Sequence, residues 1–184
     1  MQDHCHKLFL TAAAAALACA LLPRAASCAA AKEAEVKAAY IYNFTQFVEW
    51  EVPAASAAGH FDICVLGSDP VAGPLSALPE AEVRGKKLRV RLLGDSEEEL
   101  RSCRILFLGK AKRGRARGLA NALRGAGVLT VSDLPGFARG AGVIGFAAEN
   151  NKIRIEINLR AAREAGLKIS SRLLEVSRLV QDRP

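Results

Sequence analysis

The stretch LTVSDLPGFARGAGVIGFAAENNKIRIEINLRAAREAGLKISSRLLEVSRLV, residues 129–180, determines the fold class. It begins inside an apolar segment, 127–132, that is typical of a buried strand. A loop rich in glycine and proline follows over 133–142. Strands are predicted at 143–148 and 153–159, and the four residues between them include asparagines, which tolerate a positive φ. The stretch therefore predicts a buried strand followed by an antiparallel hairpin.

The second hairpin strand alternates between apolar and polar residues, which predicts one buried face and one polar face. The apolar set is Ile153, Ile155, Ile157 and Leu159, and the polar set is Arg154, Glu156 and Asn158. Asn158 is suited to cap the next helix, which is predicted to end at Gly166. A final helix is predicted from Ser170 or Ser171, with a core side formed by Leu173, Leu174, Leu179 and Val180.

Strands and helices also alternate in the part of the chain before residue 129. Strands are predicted at 61–67, 86–93 and 103–108, and helices at 33–50, 70–79 and 114–124, with an acidic turn at 95–99. The first helix carries an aromatic stripe at helical spacing: Val36, Tyr40, Phe44, Phe47 and Val48. Alternation of this kind predicts an α/β fold with a mostly parallel sheet, helices on both faces and a C-terminal antiparallel hairpin.

The first 31 residues have the order of a secretory signal peptide. Lys7 is followed by an uncharged apolar run from Leu8 to Leu22, then Pro23 and a series of small residues. The run has 15 residues, fewer than the roughly 20 that a membrane-spanning helix needs. We therefore expect cleavage near Ala30 or Ala31, export to the periplasm, and a single α/β domain over 32–184.

Cys28 admits a second interpretation of the leader. It follows Ala25, Ala26 and Ser27, a loose match to a lipoprotein cleavage box, in which case the mature chain would begin at a lipidated cysteine. The alternative is a small residue in an ordinary cleavage region. In the first case the protein is tethered to a membrane by lipid alone.

The charge of the chain limits the classes of partner that we expect. The chain carries a net charge of +7, with a local run at Lys110, Lys112, Arg113, Arg115 and Arg117. This run indicates either a solvated helix start or a surface for an anionic partner or membrane. Nucleic acid is not expected as a partner, because the protein is exported and the run lacks interleaved aromatic residues.

Two cysteines remain once the leader and Cys28 are set aside. Cys64 and Cys103 lie in an oxidising compartment, where a disulfide between them would close a loop of about 40 residues. Two separate buried thiols are the alternative, since free cysteine behaves as a small core residue.

No established catalytic or cofactor motif falls in the required context. The chain has no phosphate-loop motif, no G-x-S-x-G elbow and no glycine-rich dinucleotide motif between a predicted strand and a helix. We therefore expect no enzymatic activity, cofactor or metal. Gly67, Ser68 and Asp69 follow the first predicted strand, where a ligand crevice would form, although a capping role also explains Asp69.

The chain resembles the YfiR family of periplasmic proteins, also called the DUF4154 domain. The resemblance rests on AAYIYNFTQFVEW (38–50), FDICVLGSDP (61–70), SCRILFLG (102–109) and the run over 129–180. It implies a periplasmic repressor that binds the periplasmic sensor portion of a membrane-bound diguanylate cyclase and lowers cyclic-di-GMP synthesis. It also implies a homodimer.

The resemblance identifies Cys64 and Cys103 as the family's structural cysteine pair. Some members carry a second pair, whose positions correspond here to Ala138 and Gly145, and neither residue can form a disulfide. The alternatives that stay open are a small-ligand-binding module and an accessory protein of another membrane sensor, such as a histidine kinase.

Overall fold

The computed structural model describes residues 22–51, 59–79, 81–94, 96–150 and 152–181. Six α-helices lie in these ranges: α1 Leu22–Phe47, α2 Ala72–Ser76, α3 Glu97–Arg101, α4 Ala116–Ala122, α5 Leu159–Glu164 and α6 Ser171–Glu175. The strands are β1 Val48–Trp50, β2 His60–Leu66, β3 Glu82–Val83, β4 Lys86–Leu93, β5 Ile105–Leu108, β6 Leu129–Ser132, β7 Ile144–Glu149, β8 Lys152–Asn158, β9 Leu167–Ile169 and β10 Arg178–Val180.

The main sheet has eight strands in the order β10-β8-β7-β6-β5-β2-β4-β3. The neighbours from β4 through β2, β5 and β6 to β7 are parallel, whereas β7 and β8 form the antiparallel hairpin. The predicted fold class is therefore confirmed. The parallel strands β2, β5 and β6 end at Leu66, Leu108 and Ser132, and we call this end of the sheet the carboxyl edge.

The two faces of the sheet bury separate cores. Along β5, Ile105 and Phe107 point into one core and Leu106 and Leu108 into the other. The first core is covered by α1, α2, α5 and α6, and the second by α3, α4 and the loop after β6. Both faces of β5 are thus removed from water, which explains why a parallel central strand is apolar throughout.

A second sheet of two strands lies where α1 ends. Strand β1 pairs antiparallel with β9, and the backbone amide of Ser170 donates a hydrogen bond to the carbonyl of Phe47. The helix predicted over 33–50 therefore stops at Phe47, because Val48, Glu49 and Trp50 pair with β9 instead. Strand β9 itself was not predicted, since three residues are too short to show a period.

The hairpin and the helix after it follow the sequence closely. Asn150 has φ of 50° at the turn between β7 and β8, as predicted for an asparagine there. The Asn158 side chain accepts a hydrogen bond from the amide of Ala161, which confirms it as the cap of α5. Gly166, just beyond α5, has φ of 70°, in keeping with a glycine at the end of a helix.

The predicted final helix is wrong beyond Glu175. Ser170 caps α6 as expected, but the chain then leaves the helix and forms β10, which pairs in parallel with β8. Val180 is buried in this strand, whereas Leu179, which the helical spacing placed in the core, is exposed. An isolated helix of ten residues is only marginally stable, so pairing with the open edge of β8 prevails.

Three smaller predictions also need correction. Val36 of the aromatic stripe is exposed, whereas Phe44 is buried as predicted, together with Ala38 and Ile41, which the stripe did not include. The acidic turn is a short helix, α3. Finally, the polar face of β8 is covered, because Glu156 and Asn158 are both buried.

Candidate functional site

The predicted crevice residues lie at the carboxyl edge, where their described contacts are internal. The Asp69 carboxylate accepts a hydrogen bond from the amide of Val71 at 3.0 Å. Gly67 has φ of 81° and is covered by the side chain of Lys112, and Gly109 allows close approach of Asp69. These contacts account for Asp69 without a ligand, and binding at Gly67, Ser68 and Asp69 stays a prediction.

A buried ion pair joins α1 to the same edge. Lys37 Nζ lies 2.6 Å from Asp133 Oδ2 and 2.5 Å from Glu33 Oε1, and Lys110 Nζ lies 3.7 Å from Asp133 Oδ2. Burial lowers the pKa of Lys37, but the hydrogen bonds to Asp133 and Glu33 outweigh it and raise that pKa above 10.5. Asp133 Oδ1 is buried and accepts no hydrogen bond from the described residues.

The structure contains a disulfide between Cys64 on β2 and Cys103, just before β5, with the two Cα atoms 6.0 Å apart. Both cysteines are fully buried in the second core. The bond is thus surrounded by apolar side chains, which limits the access of a soluble reductant to the sulfur atoms.

A charged network borders the disulfide. Asp62 is buried on β2, two residues before Cys64, and accepts two hydrogen bonds of 2.8 Å from Arg89. These bonds raise the pKa of the Arg89 guanidinium above its ordinary value. Arg91 lies 3.5 Å from Asp62 and donates to Ser102, beside Cys103. The alternating arginines of β4 therefore neutralise a buried carboxylate rather than forming a wholly solvated face.

An apolar patch is exposed at the C-terminal end of the described chain. Val176 is 67% exposed and Leu179 53% exposed, and we call these two residues the C-terminal patch. Leu179 also lines a groove of about 590 Å³ with Leu159, Val180, Arg160 and Arg163. Large apolar residues exposed together mark interaction surfaces more often than isolated ones.

The remaining predicted features fall partly outside the described residues. Residues 1–21 of the leader are outside them, and Cys28 lies on α1 with no description of its side chain. Among the described residues, no cluster of three or more His, Cys, Asp and Glu side chains is arranged to hold a metal ion. In the same part of the chain, no helix combines the length and apolarity needed to cross a membrane.

Sequence reasoning missed the features that depend on distant residues. Lys37 and Asp133 are separated by 96 positions, and no local pattern links them. The C-terminal patch was assigned to a helix because LLEVSRLV keeps helical spacing. The unusual burial of a carboxylate, Asp62, had one signal: two arginines at alternate positions on the predicted strand 86–93.

A comparison with protein families finds one match that covers most of the chain. The family model DUF4154, described as YfiR/HmsC-like, matches residues 34–178. No curated protein matches the chain. The family is regulatory and non-catalytic and acts in the periplasm, with which the disulfide is consistent. The chain therefore belongs to the YfiR/HmsC-like family, a family of periplasmic regulators of cyclic-di-GMP signalling.

Proposed function

We propose that this protein represses a membrane-bound diguanylate cyclase by binding the periplasmic sensor portion of that enzyme. The observation that carries the proposal is the family match over residues 34–178. The proposal includes removal of the leader near residue 31, a mature domain over 32–184 and assembly as a homodimer.

The C-terminal patch is our candidate contact surface. Val176 and Leu179 expose apolar side chains beside the edge strand β10, and the groove next to them is bordered by Arg160 and Arg163. A partner segment with apolar side chains and acidic neighbours would bury the patch and complement the arginines. Burial of the two side chains supplies a driving force that exposed charged residues alone would not.

Repression requires unequal affinity for two states of the partner. A binding protein shifts an equilibrium only by the difference between its affinities for the two forms. We propose that the C-terminal patch binds the inactive form of the sensor portion more tightly than the active form. Release of the protein would then allow cyclic-di-GMP synthesis to rise.

An affinity capture tests this function. Tagged protein of residues 32–184 is exported, captured from envelope extract, and its partners are read by mass spectrometry. We expect a membrane diguanylate cyclase among the captured proteins and a higher cyclic-di-GMP level in cells that lack the protein. Capture of another class of membrane sensor, or an unchanged cyclic-di-GMP level, contradicts the proposal.

A matched pair of variants locates the contact. Val176→Glu/Leu179→Glu should abolish capture, whereas Leu92→Glu should not, although Leu92 is 64% exposed. Leu92 lies on β4, toward the opposite end of the sheet from β10. Equal loss of capture with both variants would show that the patch is not the contact.

A small-ligand-binding module is the second candidate, and the groove beside β10 favours it. The groove has apolar and cationic lining residues, which suits an organic anion. Calorimetry of the purified protein with nucleotides, amino acids and cell-wall fragments tests it. Binding that is lost in Arg160→Gln/Arg163→Gln would support this function, and absence of heat with all three ligand classes would exclude it for those ligands.

A further inference from the structure

The carboxyl edge carries a concentration of positive charge that the proposed partner contact does not use. The basic cluster, Lys110, Lys112, Arg113, Arg115 and Arg117, lies on the 3₁₀ helix after β5 and at the start of α4. The cluster is on the surface, apart from Lys112, which is half-buried over Gly67. Within the described residues, neither Arg113 nor Arg117 takes part in an ion pair.

Helix stability does not explain these charges. The first turn of α4 has no acidic residue, while Arg115 and Arg117 stand at its start. Cations at the start of a helix interact unfavourably with the helix dipole. The acidic side chains described nearby offset little of this charge. Asp133 lies 3.7 Å from Lys110 but also binds Lys37, Glu33 binds Lys37, and Asp69 binds its own loop.

The same edge is where the N-terminal part of the chain leaves the fold. Lys37 meets Asp133 just after β6, whereas Trp50 donates a hydrogen bond to the carbonyl of Arg104, just before β5. Helix α1 therefore runs from the carboxyl edge toward the opposite edge. Residues 29–33 of α1 are exposed, and Cys28 lies about 9 Å along the helix from Ala34 at 1.5 Å per residue.

We propose that the carboxyl edge faces an anionic phospholipid bilayer and that the basic cluster binds its headgroups. Several exposed cations on one edge match a negatively charged surface, and each strengthens binding to such a surface about five-fold. The position of α1 places the start of the mature chain at that surface. A single lipid chain anchors a protein only marginally without a second signal, and the basic cluster would be that signal if Cys28 is lipidated.

This inference goes beyond the proposed repression and does not depend on its partner. A bilayer at the carboxyl edge would hold the protein next to a membrane-bound target. The basic cluster follows β5, whereas the C-terminal patch lies by β10, four strand positions along the sheet. If the protein does not bind vesicles, only the membrane proposal fails. If it captures no cyclase, only the proposed repression fails.

Vesicle co-sedimentation tests the proposal with the unlipidated protein of residues 32–184. We expect it to sediment with vesicles that contain phosphatidylglycerol but not with pure phosphatidylcholine vesicles, and to dissociate as salt is raised. Lys110→Gln/Arg113→Gln/Arg117→Gln should weaken binding about 100-fold, since each cation accounts for about five-fold. Thermal unfolding of this variant should stay close to that of the wild type, because the three side chains are exposed and Asp133 keeps its closer partner, Lys37, when Lys110 is replaced.

A charge-matched variant provides the control. Arg163→Gln/Lys168→Gln/Arg172→Gln removes the same charge from exposed residues on α5, β9 and α6, near the edge where α1 ends. It should bind vesicles within about two-fold of the wild type. Equal weakening by both variants, or absence of binding to the anionic vesicles, would overturn the proposal. If Lys110→Gln/Arg113→Gln/Arg117→Gln lost protein capture in detergent but still bound vesicles, the cluster would bind an acidic protein segment. That result would also overturn the proposal.

Discussion

At the scale of single residues, the Cys64–Cys103 disulfide is a covalent cross-link inside the second core. The two cysteines are 39 positions apart, and both side chains are fully buried. A bond in such a place is reached by a reductant only when the surrounding core opens. We therefore interpret it as a stabilising bond of the fold rather than as a sensor of envelope redox state.

Replacing either cysteine should destabilise the fold by a few kcal/mol. Loss of the loop constraint is worth about 4 kcal/mol in the chain-entropy model. Because one bond is removed in each case, Cys64→Ala, Cys103→Ala and the double variant should have similar free energies of unfolding in urea. Additive losses from the two single variants, or two reactive thiols in the denatured unreduced protein, would contradict the bond.

The Lys37–Asp133 pair also acts at this scale. Lys37→Met leaves a buried carboxylate without its main partner and should lower the free energy of unfolding by about 3 kcal/mol. Lys37→Met/Asp133→Leu should recover more than half of that loss, because the buried charge is gone as well. Urea unfolding of the two variants measures both values. Equal destabilisation by the single and double variants would show that the unpaired Asp133 carboxylate is not what destabilises Lys37→Met.

The Lys37–Asp133 pair should also make the free energy of unfolding depend on pH. Since the pKa of Lys37 is raised above 10.5 in the folded protein, the stabilising contribution is complete below pH 10.5 and declines as the pH rises further. The difference in free energy of unfolding between the wild type and Lys37→Met should therefore shrink at pH values above 10.5. A constant difference above pH 10.5 would show that deprotonation of Lys37 does not cause the pH dependence.

At the scale of elements, the loop over 133–142 packs against β7 at Ala138 and Gly145, the two positions that we expect to correspond to the second cysteine pair of some family members. A Cβ atom placed on Gly145 would lie 3.3 Å from the Cβ of Ala138. Bonded cysteines have Cβ atoms about 3.5–4.5 Å apart, so a shift of a few tenths of an ångström would suffice. The spacing of these two Cβ positions is therefore close to that of a disulfide.

Ala138→Cys/Gly145→Cys should form a second disulfide when the protein is exported. Its stabilisation should not exceed about 2.5 kcal/mol, which is what the chain-entropy model gives for a loop of about eight residues. Thiol labelling of the denatured, unreduced protein should find no free thiol in the double variant and one in each single variant. Two free thiols in the double variant would show that the loop and β7 do not approach as described.

At the scale of the whole molecule, Ala34 is the first buried residue among those whose side chains the structure describes. Residues 29–33 are exposed, whereas Ala34, Lys37 and Ala38 are buried. A cut near Ala30 or Ala31 would therefore keep these three buried residues in the mature chain. This agrees with the start of the family match at residue 34.

Two truncations test this boundary. A protein that starts at Lys32 should unfold within about 0.5 kcal/mol of one that starts at Leu22, as is usual for changes at exposed positions. A protein that starts at Ala39 loses Lys37 and two buried alanines, so its free energy of unfolding should fall by more than about 3 kcal/mol. A large loss on starting at Lys32 would place the earlier residues in the folded domain.

Local patterns were sufficient for the fold class and for several individual residues. The strands over 103–108 and 127–132 were predicted because they are mostly apolar, and the hairpin because an asparagine turn separates two strands of suitable length. Asn158 was identified as a helix cap because its side chain satisfies a backbone amide three residues away. The resemblance to the YfiR family also rested on contiguous stretches of sequence, and the family match agrees with it.

Distant pairing determined the features that local patterns did not predict. Residues 178–180 keep helical spacing but form β10, because β8 offers an open edge, and Val48–Trp50 leave α1 because β9 pairs with them. The Asp133 carboxylate meets Lys37 only after β6 and α1 have packed together. Hydrogen bonds and charges contributed by another part of the chain outweigh a weak local preference, so these contacts and the exposed C-terminal patch depend on the folded arrangement.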